Sequence, residues 1–282
     1  MYDAYAHGRM TKRDFMSGAS KYAVGGLTAA AIYQSMKPDY ALAQQVAPDD
    51  PAIVTERATY ASPEGQGEIE GLLVKPAGAE GPLPAVLVIH ENRGLNPYIE
   101  DVARRLGKSG FVAMAPDGLS PQGGYPGNDD EGREMQRNID RAELLEDFFA
   151  GFEWLASRSD TTTCGAVGFC YGGGVCNALA VNYPEMNASV PFYGRQPPAE
   201  DVPNIRAPLL IHYAGLDERI NGGWPDYEAA LEEHGKEYAV HFYEGANHGF
   251  HNDSTPRYDV DAAELAWART LEFFGKHLID AA

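Results

Sequence analysis

Cysteine is scarce in this 282-residue chain: Cys164, Cys170 and Cys176 are all it has, an odd number confined to one segment. That is no disulfide framework, and the close pairs of a zinc or redox motif are missing, so neither a metal nor a cofactor is expected. Long apolar runs are missing as well. Lys21, Gln34 and Lys37 interrupt the one candidate, so no stretch reaches the roughly 18 residues a membrane-spanning helix needs. Basic residues are few: 22 Lys and Arg stand against 41 Asp and Glu, giving a net charge of −19 and a pI near 4.7. Such a surface repels phosphate backbones and anionic lipids, which argues against nucleic acid as a partner. Internal repeats and low-complexity linkers are also absent. What remains is 44% hydrophobic and 11% aromatic, enough to fill a sizeable core in one large domain with an appendage.

The appendage is residues 1–45 and the main domain is 46–282. Lys12-Arg13-Asp14-Phe15-Met16 leads into a Gly/Ala-rich stretch from Tyr22 to Tyr33, and Ala41-Leu42-Ala43 precedes Gln44. Basic residues, a modest apolar segment and small residues at a cleavage position form the order of an export signal. The basic pair resembles a twin-arginine signal in which Lys12 replaces the first arginine, and it predicts a periplasmic or exported protein. The alternative is a cytoplasmic protein whose N-terminal helix packs on the body or joins a homo-oligomer.

From residue 46 the chain alternates strands and helices. Glu68 to Lys75, Ala85 to Ile89, Phe111 to Met114, Ala166 to Phe169, Ala188 to Phe192, Leu209 to Tyr213 and Tyr238 to Tyr243 are strand signals. Helices are expected over 97–109, 172–182 and 224–235, with a closing helix marked by Ala263, Trp267, Leu271, Phe274 and Leu278. Met135, Ile139, Ala142, Leu145, Phe149, Phe152 and Ala156 predict one long helix from about 131 to 157, after a loop over 117–130. This order predicts an α/β protein with a mostly parallel sheet and helices on both faces, its ligand site at the carboxyl ends of the strands.

The chemistry concentrates in Gly168-Phe169-Cys170-Tyr171-Gly172-Gly173, between a strand and a helix. This has the form of a nucleophile elbow, G-x-S-x-G with cysteine in the serine's place. A thiol at a helix N-terminus is favoured as thiolate, the form that attacks a carbonyl carbon. The hydrolase order of nucleophile, acid and base continues in Asp217 after one late strand and His248 after the next, completing a candidate catalytic triad. Cys164 and Cys176 sit at no such turn and read as buried structural thiols.

These motifs resemble the dienelactone hydrolase family, the cysteine-dependent branch of the α/β-hydrolases. The resemblance covers residue 50 to the C-terminus. It rests on the elbow, on Ala214-Gly215-Leu216-Asp217, on Asn247-His248-Gly249-Phe250 and on His90-Glu91-Asn92-Arg93-Gly94. It implies an α/β-hydrolase fold, an ester or lactone substrate similar to carboxymethylenebutenolide, and Glu91 as the residue that contacts the resting thiol and helps it ionise. The oxyanion hole would combine the backbone N–H of Tyr171 with one from Asn92. One departure stands out: the family holds a substrate carboxylate with an arginine four positions after the histidine, where this chain has Asn252. Arg93, Arg141, Arg195 and Arg219, read as surface residues of the rim loops, are the candidates to replace it. Arg93 and Tyr193 are the substrate-binding candidates, and Tyr171, Tyr193 and Trp224 a candidate aromatic wall. The competing readings are acyl transfer to a nucleophile other than water, and a non-catalytic ligand-binding or redox-sensing protein built on the same thiol.

Overall fold

The computed structural model describes residues 4–5, 9–22 and 39–281. The elements run α1 (Lys12–Ala19), α2 (Tyr40–Ala43), β1 (Ile53–Ser62), β2 (Gly67–Pro76), β3 (Leu83–Ile89), α3 (Pro97–Lys108), β4 (Val112–Pro116), α4 (Asp129–Asn138), α5 (Arg141–Ala156) and β5 (Thr161–Phe169). They continue with α6 (Tyr171–Asn182), β6 (Ala188–Phe192), β7 (Leu209–Ala214), α7 (Glu218–Asn221), α8 (Trp224–Glu233), β8 (Tyr238–Tyr243) and α9 (Val260–Phe274).

The eight strands form one sheet in the order β1-β2-β4-β3-β5-β6-β7-β8. β1 pairs antiparallel with β2 and β2 with β4, and from β4 to β8 every pairing is parallel. Alternation of side chains decides which helices each strand meets. On β3, Val86 and Val88 pack into the layer that holds Ile99 and Val102 of α3 and Ala266 and Phe274 of α9. Ala85, Leu87 and Ile89 face the other layer, with Phe148 and Phe152 of α5 and Val175 and Leu179 of α6. A strand covered on both faces needs a continuous apolar run, which is what β3 has. Because β5, β6, β7 and β8 are adjacent and parallel, the segments after them emerge on one rim.

Two expectations about the elements are corrected. The long helix over 131–157 is two helices: Ile139 leaves helical geometry, and Asp140 accepts from the N–H groups of Ala142 (2.8 Å) and Glu143 (3.3 Å), starting α5 afresh. Of the expected apolar stripe Phe149 and Phe152 are buried, but the buried face is centred elsewhere. Leu144, Phe148, Phe152 and Leu155 are buried, whereas Ala142 and Ala156 are exposed. The loop over 117–130 ends early, since α4 begins at Asp129 with Asn128 as its cap. β1 carried no strong signal because it is an edge strand with only Ile53, Tyr60 and Ser62 buried.

Near the N-terminus, Thr11 caps α1 by accepting from the Asp14 N–H at 3.1 Å. Phe15 and Ala19 bury one face of α1 against Tyr5, whose ring lies 4.5 Å from the Arg133 guanidinium of α4. Lys12 approaches Asp130 of α4 at 3.6 Å. Most of the Gly/Ala-rich stretch of the expected signal, residues 23–38, lies outside the described residues. The chain re-enters at Asp39, which donates from its N–H to the Ser254 carbonyl at 2.7 Å. Tyr40 then donates to Asp129 at 2.5 Å and accepts from the Asn96 amide at 2.9 Å. Among the described residues no helix is long and apolar enough to cross a membrane.

Candidate active site

The turn between β5 and α6 holds Cys170 at φ 56° and ψ −107°. A side chain in this region is strained by about 1–3 kcal/mol and persists only when its surroundings dictate it. Here they do. The Cys170 N–H donates to the Phe192 carbonyl at 3.1 Å, and its own carbonyl accepts from Gly174 at 3.3 Å. A Cβ on Gly168 would stand 2.1 Å from the Gly172 carbonyl oxygen, and one on Gly172 would stand 2.3 Å from that of Ile89. Glycine at both positions is what lets strand and helix close to within contact, leaving Cys170 at the N-terminus of α6.

Asp217 and His248 follow β7 and β8 on the same rim. His248 hydrogen-bonds Asp217 through Nδ1 and Oδ2, and both residues are buried. Asp217 also caps α7, its Oδ1 accepting from the Ile220 N–H at 3.3 Å. Burial alone would raise the Asp217 pKa, but the His248 hydrogen bond and charge, with Arg219 at 4.0 Å, hold it below the ordinary carboxylate value. The aspartate is therefore an anion that can fix the imidazole tautomer with Nε2 left to exchange a proton. Cys164 and Cys176 are buried in apolar surroundings that push both thiols up, which keeps them protonated.

Glu91, 1% exposed, follows β3 and enters the same region. Its Oε2 accepts from the Asn252 amide at 2.8 Å. Asn252 cannot turn round, because its Oδ1 accepts from both the N–H (3.1 Å) and the hydroxyl (2.5 Å) of Ser254. The backbone of Glu91 is held from the other side by His90, whose Nδ1–H donates to the Glu91 carbonyl at 2.6 Å while Nε2 accepts from the Gly118 N–H at 3.1 Å. Burial lowers the His90 pKa, which keeps the ring neutral and suits it to this donor–acceptor bridge.

Arg93 is not the surface residue the sequence suggested. It is 4% exposed, with Nη1 on Asp129 at 2.6 Å, Nη2 on the Asn92 side chain at 3.3 Å and Nε 4.0 Å from Glu91 Oε2. Burial opposes its charge, but Asp129 and Glu91 outweigh that and hold its pKa above the ordinary arginine value. Asn92 itself is half-buried beside it, and Tyr171 opens α6 with its ring 6.1 Å from that of Phe148. Arg141 and Arg195 are exposed, as read from the sequence. Tyr193 is wholly buried, its ring 4.9 Å from that of His248. Trp224 is not in an aromatic wall of the site: it packs edge-on against Tyr213, Tyr227, Tyr238 and Phe242, inside the layer under α8. Its position at the start of a helix that covers the sheet, rather than after a strand, is the reason. Among the described residues no group of three or more His, Cys, Asp or Glu side chains could hold a metal.

The model of the dienelactone hydrolase family matches residues 69–278. The chain belongs to the dienelactone hydrolase family. A second family model, YqhI-like, matches residues 1–24. A protein of Saccharolobus solfataricus named "Putative carboxymethylenebutenolidase" is 31% identical over 244 residues, covering 73% of this chain and 93% of that protein. A Bradyrhizobium protein named "Probable 2-oxo-3-(5-oxofuran-2-ylidene)propanoate lactonase" is 34% identical over 215 residues, covering 70% of this chain and 86% of its own length. The crystal structure titled as a "Putative Dienelactone Hydrolase" from Klebsiella pneumoniae superposes with a TM-score of 0.70 at 26% identity, covering 80% of this chain and 99% of that one. The chain is accordingly a hydrolase with the α/β-hydrolase fold, as the elbow and the strand order led one to expect.

Some residues of this site were not legible in advance. Asn252 stood out only as a missing arginine, and nothing in its neighbourhood marked it as the partner of Glu91, 161 positions away. His90 opens the His90-Glu91-Asn92-Arg93-Gly94 motif, but nothing in that motif marks it as a bridge, a role that came only with the contact to Gly118.

Proposed function

We propose that the protein hydrolyses a lactone or carboxylic ester through an acyl-thioester on Cys170. The observation that carries this reading is a cysteine in strained elbow geometry at a helix N-terminus, on the rim that also bears the hydrogen-bonded His248–Asp217 pair. His248 Nε2 takes the thiol proton, and the thiolate attacks the carbonyl carbon. The negative oxygen that forms is held by backbone N–H groups, those of Tyr171 and Asn92 in this reading. As the C–O bond to the alcohol breaks, His248 returns the proton to the departing oxygen; in a lactone that oxygen stays in the product. Water then attacks the thioester with His248 again as base, releasing the acid and restoring the thiol. Glu91, tethered by Asn252, is the residue that contacts the resting sulfur. The relatives' names, a carboxymethylenebutenolidase and a furanone-type lactonase, support an unsaturated lactone as substrate class.

The test is a panel of p-nitrophenyl esters and enol lactones assayed with the wild type and with Cys170→Ala. Hydrolysis that disappears in the variant is expected, and full activity in Cys170→Ala overturns the mechanism. Adding a competing alcohol separates hydrolysis from acyl transfer, since a transferase makes the new ester at the expense of acid.

Residues 1–43 are proposed as an export signal. Support comes from the cleavage-like Ala41-Leu42-Ala43 and from the anchoring of the residues just beyond it. The N–H groups of Gln45 and Val46 donate to Asp101 at 3.2 and 2.9 Å, and Arg104 donates to the Val46 carbonyl at 2.8 Å. Mass spectrometry of the native-host protein should show a start at Gln44; an intact Met1 in the exported fraction refutes it.

A further inference from the structure

Besides Cys170, one other non-glycine residue among those described has a positive φ: Tyr193, at 38°. An aromatic residue is a genuine outlier there, and both outliers belong to one site. Tyr193 follows β6, and the carbonyl of Phe192 just before it receives the Cys170 N–H, so the two strained turns are tied together. The backbone N–H of Tyr193 donates to the His212 carbonyl at 2.7 Å, which fixes the turn from the β7 side. The residue is 0% exposed; the Tyr98 hydroxyl acts on its oxygen, and among the described residues no group accepts its hydroxyl proton in hydrogen-bond geometry. A buried hydroxyl proton without an acceptor is uncommon and calls for a reason.

The surroundings supply one. The groups felt at the phenol are Glu91 from the loop after β3, Cys170 at the elbow, Arg257 from the loop before α9 and Tyr98 of α3. Burial, first, and then the carboxylate and the thiol raise its pKa, so it stays a neutral donor. Behind it, the Tyr98 hydroxyl is already engaged at 2.7 Å with Nδ1 of the buried His251, whose ring stacks on Phe169 at 5.2 Å, next to the nucleophile. The Tyr193 ring lies tilted against that of His248, with centroids 4.9 Å apart. A neutral O–H donor therefore lies within electrostatic reach of the Glu91 carboxylate and of a sulfur that gains charge during the reaction.

We propose that Tyr193 is a positioning residue for the Cys170 thiolate: its hydroxyl donates to the sulfur once the thiol proton has passed to His248, while its ring holds the imidazole facing that sulfur. The proposal rests on the reading of Cys170 as nucleophile, and it predicts where the phenol proton points only when the sulfur is charged. His251 and Tyr98 complete a file of groups in which Tyr98 supports the Tyr193 oxygen from behind.

The experiment is the rate of Cys170 alkylation by iodoacetamide in the full-length protein as pH is raised, with Tyr193→Phe beside the wild type. Losing a hydrogen bond to a charged sulfur should leave roughly tenfold less thiolate at a given pH, moving the midpoint up by about one unit. kcat for a good ester should fall about tenfold with KM unmoved. A folded Tyr193→Phe with the wild-type midpoint overturns the proposal, whereas an active Cys170→Ala would overturn the underlying mechanism instead. Site-specific 3-fluorotyrosine at 193 keeps the shape and makes the phenol a stronger donor. It should move the midpoint down, and an unmoved or raised midpoint counts against the proposal even if Tyr193→Phe fails to fold.

Discussion

Exchanging Asn252 for aspartate changes one NH2 group into an oxygen without changing the shape of the side chain, and the structure says what that must do. The amide now donates to Glu91 Oε2 at 2.8 Å, and its own oxygen is committed to Ser254. In Asn252→Asp the Ser254 contacts survive, but two carboxylate oxygens face each other in a buried site. Two full charges about 3 Å apart repel by roughly 5 kcal/mol even at an effective dielectric constant near 20. The pair escapes more easily by keeping one proton, which then makes a carboxyl–carboxylate hydrogen bond. Holding a proton on a carboxyl of ordinary pKa about 4.3 costs roughly 3–4 kcal/mol at neutral pH and about 1 kcal/mol near pH 5. The folded-state pKa of the pair is thus raised above its unfolded value. A group of that kind contributes stability fully below the unfolded pKa and loses it as pH rises through the folded pKa. The variant should melt about 7–15 °C below the wild type at neutral pH, with the gap closing by more than half near pH 5. Thermal or urea unfolding of both proteins across that range measures it. A gap that stays constant with pH, or no gap, refutes the claim that Asn252 is the neutral donor that lets Glu91 stay buried.

Other consequences are as specific. Asp217→Asn should leave the melting temperature nearly unchanged but lower kcat, by up to about 10⁴-fold as in a serine triad and by less here because a thiol is easier to ionise; wild-type turnover with chemistry rate-limiting would remove Asp217 from the mechanism. Burial lowers the pKa of His90, His212 and His251 below the ordinary 6.5, so the unfolded chain binds more protons under mild acid and stability must rise with pH up to that value. Each such histidine adds a slope of up to about 1.4 kcal/mol per pH unit, and urea midpoints that are flat between pH 5 and 7 contradict it. A chain beginning at Gln44 keeps the Asp101 anchors of Gln45 and Val46 but loses Tyr40, which bonds Asp129 at 2.5 Å. It should remain active and lose about 1.5–3 kcal/mol of stability by urea unfolding; a folded but inactive truncation refutes the separation of arm from chemistry.

The architecture was legible in the sequence because its signals are local, and so were the strand ends after which Cys170, Asp217 and His248 stand. An apolar run as short as Ala85 to Ile89, preceded by a Gly/Pro turn, reads as a doubly covered strand, and a glycine-flanked cysteine between strand and helix declares its own backbone geometry. Where patterns weakened, so did the reading: Asp140 restarts a helix in the middle of an unbroken apolar rhythm, and the edge strand β1 buries too little to alternate clearly.

What only the tertiary structure decided are the relations between distant segments. The buried Arg93–Asp129 pair, the Asn252–Glu91 tether and the neutral His90 bridge each join elements that are remote in sequence, and each depends on desolvation. A residue type states what a side chain can donate or accept; burial decides which charge survives and which hydrogen bond must be made, and burial is a property of the folded packing alone.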